Sequence, residues 1–238
     1  MDTLQSASDD RALLQSEWQF QDASPQGMML NTLSNELSDG DVSEIISYLP
    51  EIEGLEVLEL GAGIGRFTTH LAQKARHVTA VDFVDKFIKK NQKSNSCLDN
   101  IDYVVDDVMN LKMSPNSADL IFTNWFFMYL DNESTRCLLA KLLYWLSLNG
   151  HVFLRESCVH GSGNISLRKA TTYYREPNDY EALFNSVTVP TEDKQAVYGF
   201  NVIASRPVEI YRKVMNNSNQ ITWLLQKVRR DASSTLEH

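Results

Sequence analysis

Apolar positions along the chain change their period repeatedly between two and near four. Glu56-Val-Leu-Glu-Leu60 is a short apolar run stopped by glycine and reads as a buried strand. Arg66 to Ala75 follows with helical spacing through Phe67, Leu71 and Ala75. His77-Val-Thr-Ala-Val-Asp82 is a β-branched strand, and Phe83–Asn95 a second helix. Ile101–Val105 is a third strand, and Ser117–Thr123 a fourth, entered through the turn residues Ser114-Pro-Asn. Glu133–Leu148 is an amphipathic helix closed by Asn149-Gly150, after which His151-Val-Phe-Leu-Arg155 forms a fifth strand. Short connections between alternating strands and helices demand a parallel sheet with helices on both faces.

The last third reads differently. Pro177–Asn185 fits a short helix, and Val197–Ala204 and Ile221–Val228 fit two strands that extend the sheet, one of them antiparallel. Upstream, a helical segment over Asp41–Leu49 lids the sheet edge and is separated from the first strand by Tyr48-Leu-Pro-Glu-Ile-Glu-Gly54. The pattern predicts one α/β domain over 11–228, with a doubly wound, seven-stranded mixed sheet. Residues 1–10 are polar and expected to fray. The stretch 231–238 carries no apolar period, and its Leu-Glu-His ending resembles the start of a vector-derived tag, so it is set aside.

Composition narrows the function. The 238 residues carry 31 acidic and 22 basic side chains, a formal charge of −9. That balance disfavours general nucleic-acid binding, since no cationic excess exists to displace counterions. No run reaches the roughly 18 apolar residues of a membrane helix, and the N-terminus lacks a signal pattern. Cys97, Cys137 and Cys158 are too irregularly spaced for a zinc site or a disulfide framework, which suits a reducing, cytoplasmic setting.

The chemistry concentrates in Val57-Leu-Glu-Leu-Gly-Ala-Gly-Ile-Gly-Arg66, a glycine turn between a strand and a helix. Its G-x-G-x-G spacing brings the last glycine one residue earlier than the dinucleotide fingerprint requires. Glu59, just ahead of the turn, would repel a pyrophosphate but suits an amine-bearing ligand. Asp82 ends the next strand, placed to accept two ribose hydroxyls, and Asp107 ends the third, where an adenine amino group could donate to it. Together these are the parts of an S-adenosylmethionine (SAM) site. A plain glycine turn and a nicotinamide-dinucleotide site remain the alternatives.

The segment Leu58-Glu-Leu-Gly-Ala-Gly-Ile-Gly-Arg-Phe-Thr68 resembles motif I of class I SAM-dependent methyltransferases. More narrowly, the chain resembles the phosphoethanolamine N-methyltransferases of plant and nematode type, particularly their first domain. The likeness runs through Met28-Met-Leu30, Asp82–Asn91, Thr123–Leu130 with Arg155-Glu-Ser-Cys158, and Tyr174-Arg-Glu-Pro177 with Trp223–Val228. It implies a Rossmann-like fold with an N-terminal helical lid, SAM as methyl donor, and a phosphobase as substrate on the route towards phosphocholine. A second methyltransferase domain or protein is a possible partner. A different small acceptor, or a SAM-binding domain without activity, stays open.

The resemblance also implies roles. Gly61, Ala62, Gly63, Phe83, Val108, Asn124 and Trp125 join Glu59, Asp82 and Asp107 around the cofactor. Tyr129 stands where single-domain relatives carry a catalytic histidine; its phenol could orient the amine and relay a proton, though a pKa near 10 makes it a modest base. The family's N-terminal tyrosine has no counterpart in Ser16-Glu17-Trp18, where Trp18 either closes over the cofactor or simply packs. Tyr174, Arg175 and Lys227 are expected to hold the phosphate, and Arg155 and Glu156 to form an ion pair beside the pocket.

Overall fold

The computed structural model describes residues 2–162 and 172–231. Its strands are β1 (Glu56–Leu60), β2 (His77–Asp82), β3 (Ile101–Val105), β4 (Ala118–Asn124), β5 (Leu146–Ser157), β6 (Val189–Pro190), β7 (Ala196–Pro207) and β8 (Gln220–Asp231). They form one sheet in the order β3-β2-β1-β4-β5-β8-β7-β6. Strands β1 to β5 pair in parallel, while β8 runs antiparallel to both β5 and β7. The chain winds outward from β1 to β3, then returns to place β4 on the other side of β1. The carboxyl ends of β1 and β4 therefore splay apart into a crevice, the usual ligand position in a doubly wound sheet.

The helices are α1 (Asp2–Phe20), α2 (Pro25–Met29), α3 (Ser34–Ser47), α4 (Thr68–Ala72), α5 (Asp85–Ser94), α6 (Asn132–Trp145), α7 (Pro177–Ser186) and α8 (Glu209–Met215). Leu138, Leu139, Leu142 and Leu143 of α6 join Tyr180 and Phe184 of α7 in a core with Trp223 of β8. On the opposite face Leu37 and Ile45 of α3, Leu71 of α4 and Tyr211 of α8 pack with Val57 and Phe122. Two cores sandwiching the sheet explain why β1 is buried through Val57–Leu60 instead of alternating.

Several boundaries differ from the sequence pattern. The sheet has eight strands, because the two-residue β6 pairs with Tyr198 and Val197 of β7 at the edge; its Pro190 is tolerated there. Helix α6 stops at Trp145, and β5 begins at once with Leu146. The Asn149-Gly150 pair, expected to cap the helix, serves a β-bulge: Ala118 pairs with Leu146, but Leu120 pairs with His151. A Cβ on Gly150 would lie 2.9 Å from Ser147 O and 3.0 Å from Asp119 O, so the crowded bulge requires glycine.

The N-terminal expectations also shift. Residues 2–10 continue helix α1 instead of fraying, and Asp231 closes β8 instead of opening a tail; 232–238 lie outside the described residues. Helix α3 starts seven residues before Asp41, with Gly40 inside it. A Cβ there would meet Ile210 Cδ1 at 2.2 Å, so glycine lets α3 press against α8. Helix α8 itself carried no sequence signal. Its first amides, Glu209 N and Ile210 N, donate to Glu44 of α3 at 2.6 and 2.8 Å, a cap supplied from 165 residues away.

Candidate active site

One pocket opens at the carboxyl ends of β1, β2 and β4, and the glycine turn forms its floor. Gly61 N and Ala62 N donate to Val81 O at 2.9 and 3.0 Å, tying the turn to β2. Gly61 has φ +73, and a Cβ there would lie 2.7 Å from the Phe126 ring. Glycine thus supplies both the left-handed backbone and the space. The third glycine, Gly65, does not face the pocket. A Cβ on it would press within 2.4 Å of Asn91 Oδ1, so it exists for the approach of α5.

The two acids at the strand ends are buried differently. Glu59 accepts from Thr68 Oγ1 at 2.5 Å, and Thr68 is backed by Asn91 Nδ2 at 2.8 Å. Among the described residues no cation pairs with Glu59, and burial lifts its pKa to about 8, with the nearby Asp82 charge adding to the rise. Asp82 accepts from Gly63 N and Val84 N, both at 2.9 Å. Burial still outweighs those bonds and raises it to about 6. Both carboxylates line the pocket.

Asp107 lies across from them, already engaged. Arg11 of α1 donates to both of its carboxylate oxygens, one through Nε at 3.0 Å, and Met109 N donates at 2.9 Å. The same helix sends Gln15 Nε2 to Phe83 O at 2.9 Å. Trp18 packs edge-on against Phe87 and against Tyr129, with ring centroids 6.3 and 5.6 Å apart. Lys86 donates to Gln19 O and Gln21 O at 2.5 Å and ties the end of α1 to α5. Helix α1 lies over the pocket rim, whereas the Asp41–Leu49 segment, expected to lid the sheet edge, packs on a face of the sheet.

Tyr129 faces the pocket from a single 3-10 turn, Phe127–Tyr129. That turn is held from both sides. Glu156, fully buried at the end of β5, accepts from Phe126 N, Phe127 N and Met128 N at 3.0, 2.8 and 3.1 Å. Burial pushes it up to about 7 despite these bonds. From the carbonyl side, Arg175 donates to Phe127 O at 3.2 Å and Leu130 O at 2.6 Å, and to Asn132 Oδ1 at 2.8 Å. Further bonds reach Tyr173 O and Thr135 Oγ1.

This geometry corrects three sequence expectations. Arg175 is 6% exposed and spends its fork on backbone carbonyls; it does not line the pocket. Lys227 lies at the far end of the sheet, where Nζ donates to Leu146 O at 2.6 Å and Asn116 Oδ1 at 3.0 Å. Because β8 is antiparallel to β5, with Gln226 opposite His151, Lys227 is carried towards the start of β5 and away from the site. Arg155 and Glu156 are not an ion pair. Alternation along β5 sends Arg155 to the other face, where Nη2 meets Asp41 Oδ1 at 3.1 Å.

The structure brings the remaining predicted residues to one pocket. Ala62, Gly63, Phe83, Val108, Asn124, Trp125 and Tyr174 all line the pocket. Asn124 Oδ1 accepts from Arg155 Nη1 at 3.0 Å, and the Arg155 guanidinium lies 3.8 Å from the Trp125 ring. Trp125 Nε1 donates to Gln220 Oε1 at 2.7 Å, and Gln220 Nε2 reaches Ser157 Oγ and, at 2.5 Å, Ser162 Oγ. Gln220, Ser162 and Arg11 were missed by the sequence reading. Gln220 and Ser162 have no local motif; Arg11 would have required knowing that α1 crosses the pocket to reach Asp107.

A family model described as a methyltransferase domain matches residues 57–150. The chain is 43% identical over 210 residues to phosphoethanolamine N-methyltransferase 3 of Arabidopsis thaliana, covering 87% of this chain and 43% of the relative. Against phosphoethanolamine N-methyltransferase 1 of Caenorhabditis elegans it is 41% identical over 228 residues, or 92% and 48%. The chain thus spans about half the length of the curated relatives it matches. Among solved structures, Haemonchus contortus phosphoethanolamine N-methyltransferase 1, in complex with phosphoethanolamine and S-adenosylhomocysteine, superposes with a TM-score of 0.87 at 32% identity, covering 98% of this chain and 50% of that one. A Leishmania major SAM-dependent methyltransferase, 19% identical with a TM-score of 0.70, shares the fold. Strand order, glycine turn and this likeness together make the chain a class I methyltransferase domain that belongs to the phosphoethanolamine N-methyltransferase family.

Proposed function

We propose that this domain transfers methyl groups from SAM to the amine of phosphoethanolamine, or of its methylated forms, towards phosphocholine. The observation that carries the reading is the pair of buried pocket carboxylates at adjacent strand ends. Glu59, raised to about 8 with no cation beside it among the described residues, fits a ligand ammonium. Asp82, fixed by Gly63 N and Val84 N, fits a ribose diol. Asp107 and Val108 would meet the adenine, with Phe83 beside it; Gly61, Ala62 and Gly63 admit the ligand's close approach, and Asn124 and Trp125 wall its amino-acid end. When bound, SAM supplies an electrophilic methyl on sulfur.

The chain's own residues position the acceptor and exclude water, which supplies much of the acceleration in an in-line displacement. The acceptor amine, with a pKa of about 10 as in lysine, is protonated at neutral pH and must lose that proton. Tyr129 Oη accepts a hydrogen bond from the ammonium and relays the proton outward. Trp18, edge-on to Tyr129, covers that position, and Tyr174 contributes to the pocket's outer wall. The relatives' greater length favours a second methyltransferase unit as partner, and the cysteine usage favours the cytoplasm.

Calorimetry with S-adenosylhomocysteine and a radiolabelled methyl assay on ethanolamine, phosphoethanolamine and its mono- and dimethyl forms test this. Binding plus transfer to a phosphobase is expected. No binding overturns the reading, and binding without transfer to any phosphobase leaves a non-catalytic domain.

A further inference from the structure

Two asparagines interrupt the apolar stripe of α5. Phe87 and Ile88 are buried on its inner face. The next places in that stripe are Asn91 and, at the helix end, Asn95, 0% and 1% exposed. A buried amide is costly unless its groups are bonded, and here the bonds form one line. Thr69 Oγ1 donates to Asn95 Oδ1 at 2.6 Å, Asn95 Nδ2 to Asn91 Oδ1 at 2.8 Å, and Asn91 Nδ2 to Thr68 Oγ1 at 2.8 Å. Thr68 Oγ1 donates in turn to Glu59 Oε2 at 2.5 Å. The line thus runs from a half-buried threonine in the first turn of α4 to a carboxylate of the pocket.

Every donor in the line points towards Glu59, and one contact fixes that direction. Asn95 Nδ2 also lies 3.2 Å from Asn91 O, a carbonyl that only accepts. That end of the Asn95 amide is therefore the amino end. Asn91 must meet it with Oδ1 and turn its own amino group on Thr68, which keeps its single proton for Glu59. Among the described residues no bond engages Glu59 Oε1. The glycine turn makes room for the line: a Cβ on Gly65, at φ +89, would lie 2.4 Å from Asn91 Oδ1 and 3.0 Å from Asn95 Nδ2. The early third glycine thus serves these two amides.

We propose that Thr68, Asn91 and Asn95 are positioning residues whose aligned bonds hold Glu59 as a fixed, ionised acceptor for the cofactor's ammonium group. Aligned hydrogen bonds polarise one another, so this hydroxyl is a stronger donor than a lone one. A protonated Oε2 would face a hydroxyl proton already turned on it. The Thr68 bond is also the one contribution that draws the Glu59 carboxyl down, against burial and the Asp82 charge. The inference rests on the function proposed above, in which Glu59 meets that ammonium, and adds three residues that do not line the pocket.

The test compares wild type, Thr68→Val, Thr68→Ser, Asn91→Leu and Glu59→Gln by calorimetry. Affinities are measured for S-adenosylhomocysteine and for 5′-methylthioadenosine, which lacks the amino-acid end and its ammonium. Thr68→Val, nearly equal in volume, is expected to weaken S-adenosylhomocysteine about ten- to a hundredfold through loss of a charge-assisted bond. Thr68→Ser should restore it. Asn91→Leu leaves Thr68 in place and should weaken it about two- to fivefold through lost polarisation. Affinity for 5′-methylthioadenosine should hold throughout, and Thr68→Val should add nothing in a Glu59→Gln background. The proposal is overturned if both nucleosides weaken alike, which marks a structural role, or if neither weakens. Selective weakening in Thr68→Val alone overturns the line beyond that hydroxyl. Should Asn91→Leu fail to fold, Asn95→Ala breaks the same line further out and is read in the same way. Wild type that binds neither nucleoside, or Glu59→Gln that binds S-adenosylhomocysteine like wild type, overturns the functional reading and the proposal with it.

Discussion

Arg175→Met removes the guanidinium that holds the Tyr129 turn while keeping an unbranched apolar stem against Tyr180. Two buried carbonyls, Phe127 O and Leu130 O, and the half-buried Tyr173 O each lose a donor. Glu156 loses the Arg175 charge that partly offsets its burial. Each unmet buried acceptor costs about 1–3 kcal/mol, and breaking one member of a buried charged network costs about 3–5 kcal/mol in total. For a chain of this size each kcal/mol moves Tm by about 2–4 °C, so a fall of about 6–20 °C is expected. Differential scanning calorimetry measures it, beside steady-state kinetics. The clamp predicts that kcat falls as the turn loosens, with the KM for phosphoethanolamine nearly kept. Arg175→Lys, which keeps the charge but not the fork, should lie between. An unchanged Tm together with a KM raised tenfold would refute the clamp and return Arg175 to the substrate.

Four further outcomes follow from the site. Burial lifts Glu59 from 4.5 to about 8, so between those values the folded, ligand-free chain holds a proton that the unfolded chain releases. Its share of stability is complete below about pH 4.5 and is lost as pH rises towards 8; Glu59→Gln should flatten that slope in Tm against pH, and an unaltered slope would contradict the assignment. Because a ligand ammonium would ionise Glu59, binding of S-adenosylhomocysteine at pH 7 should release a proton, read from binding enthalpies in buffers of different ionisation enthalpy. Tyr129→Phe should lower kcat by about a hundredfold or more while leaving cofactor affinity intact; wild-type turnover would remove Tyr129 from the chemistry. Arg11→Ala should cost only about 1 kcal/mol, as its half-exposed pair with Asp107 implies, but should hasten cofactor release in stopped flow, and an unchanged rate would show that the pair does not hold the lid.

The contrast between Tyr129 and Arg175 shows what a motif carries. Both sit in segments that resemble the family, and the sequence assigned both to the ligands. Tyr129 stays in the pocket because it directly follows a strand whose end defines the crevice, so its position depends on local geometry alone. Arg175 follows the undescribed segment, and where its guanidinium points depends on which unpaired carbonyls lie nearby. The turn at Phe127–Leu130 offered them. Lys227 fails for a register reason: near β8's carboxyl end, it faces the start of β5, and the sequence does not say how long the preceding strand is.

By itself the sequence determined the alternation of strands and helices, the crevice at the switch point, and the acids Glu59 and Asp82. These depend on apolar period and on the backbone freedom of glycine, both local properties of a few consecutive residues. Tertiary structure alone decided that α1 crosses the pocket to engage Asp107, that Glu44 caps α8, and that Asn149-Gly150 makes a bulge instead of a helix end. It also decided where the basic side chains go. A long guanidinium or ammonium group takes whichever acceptors the packed chain leaves unmet, and those are fixed only when distant segments meet.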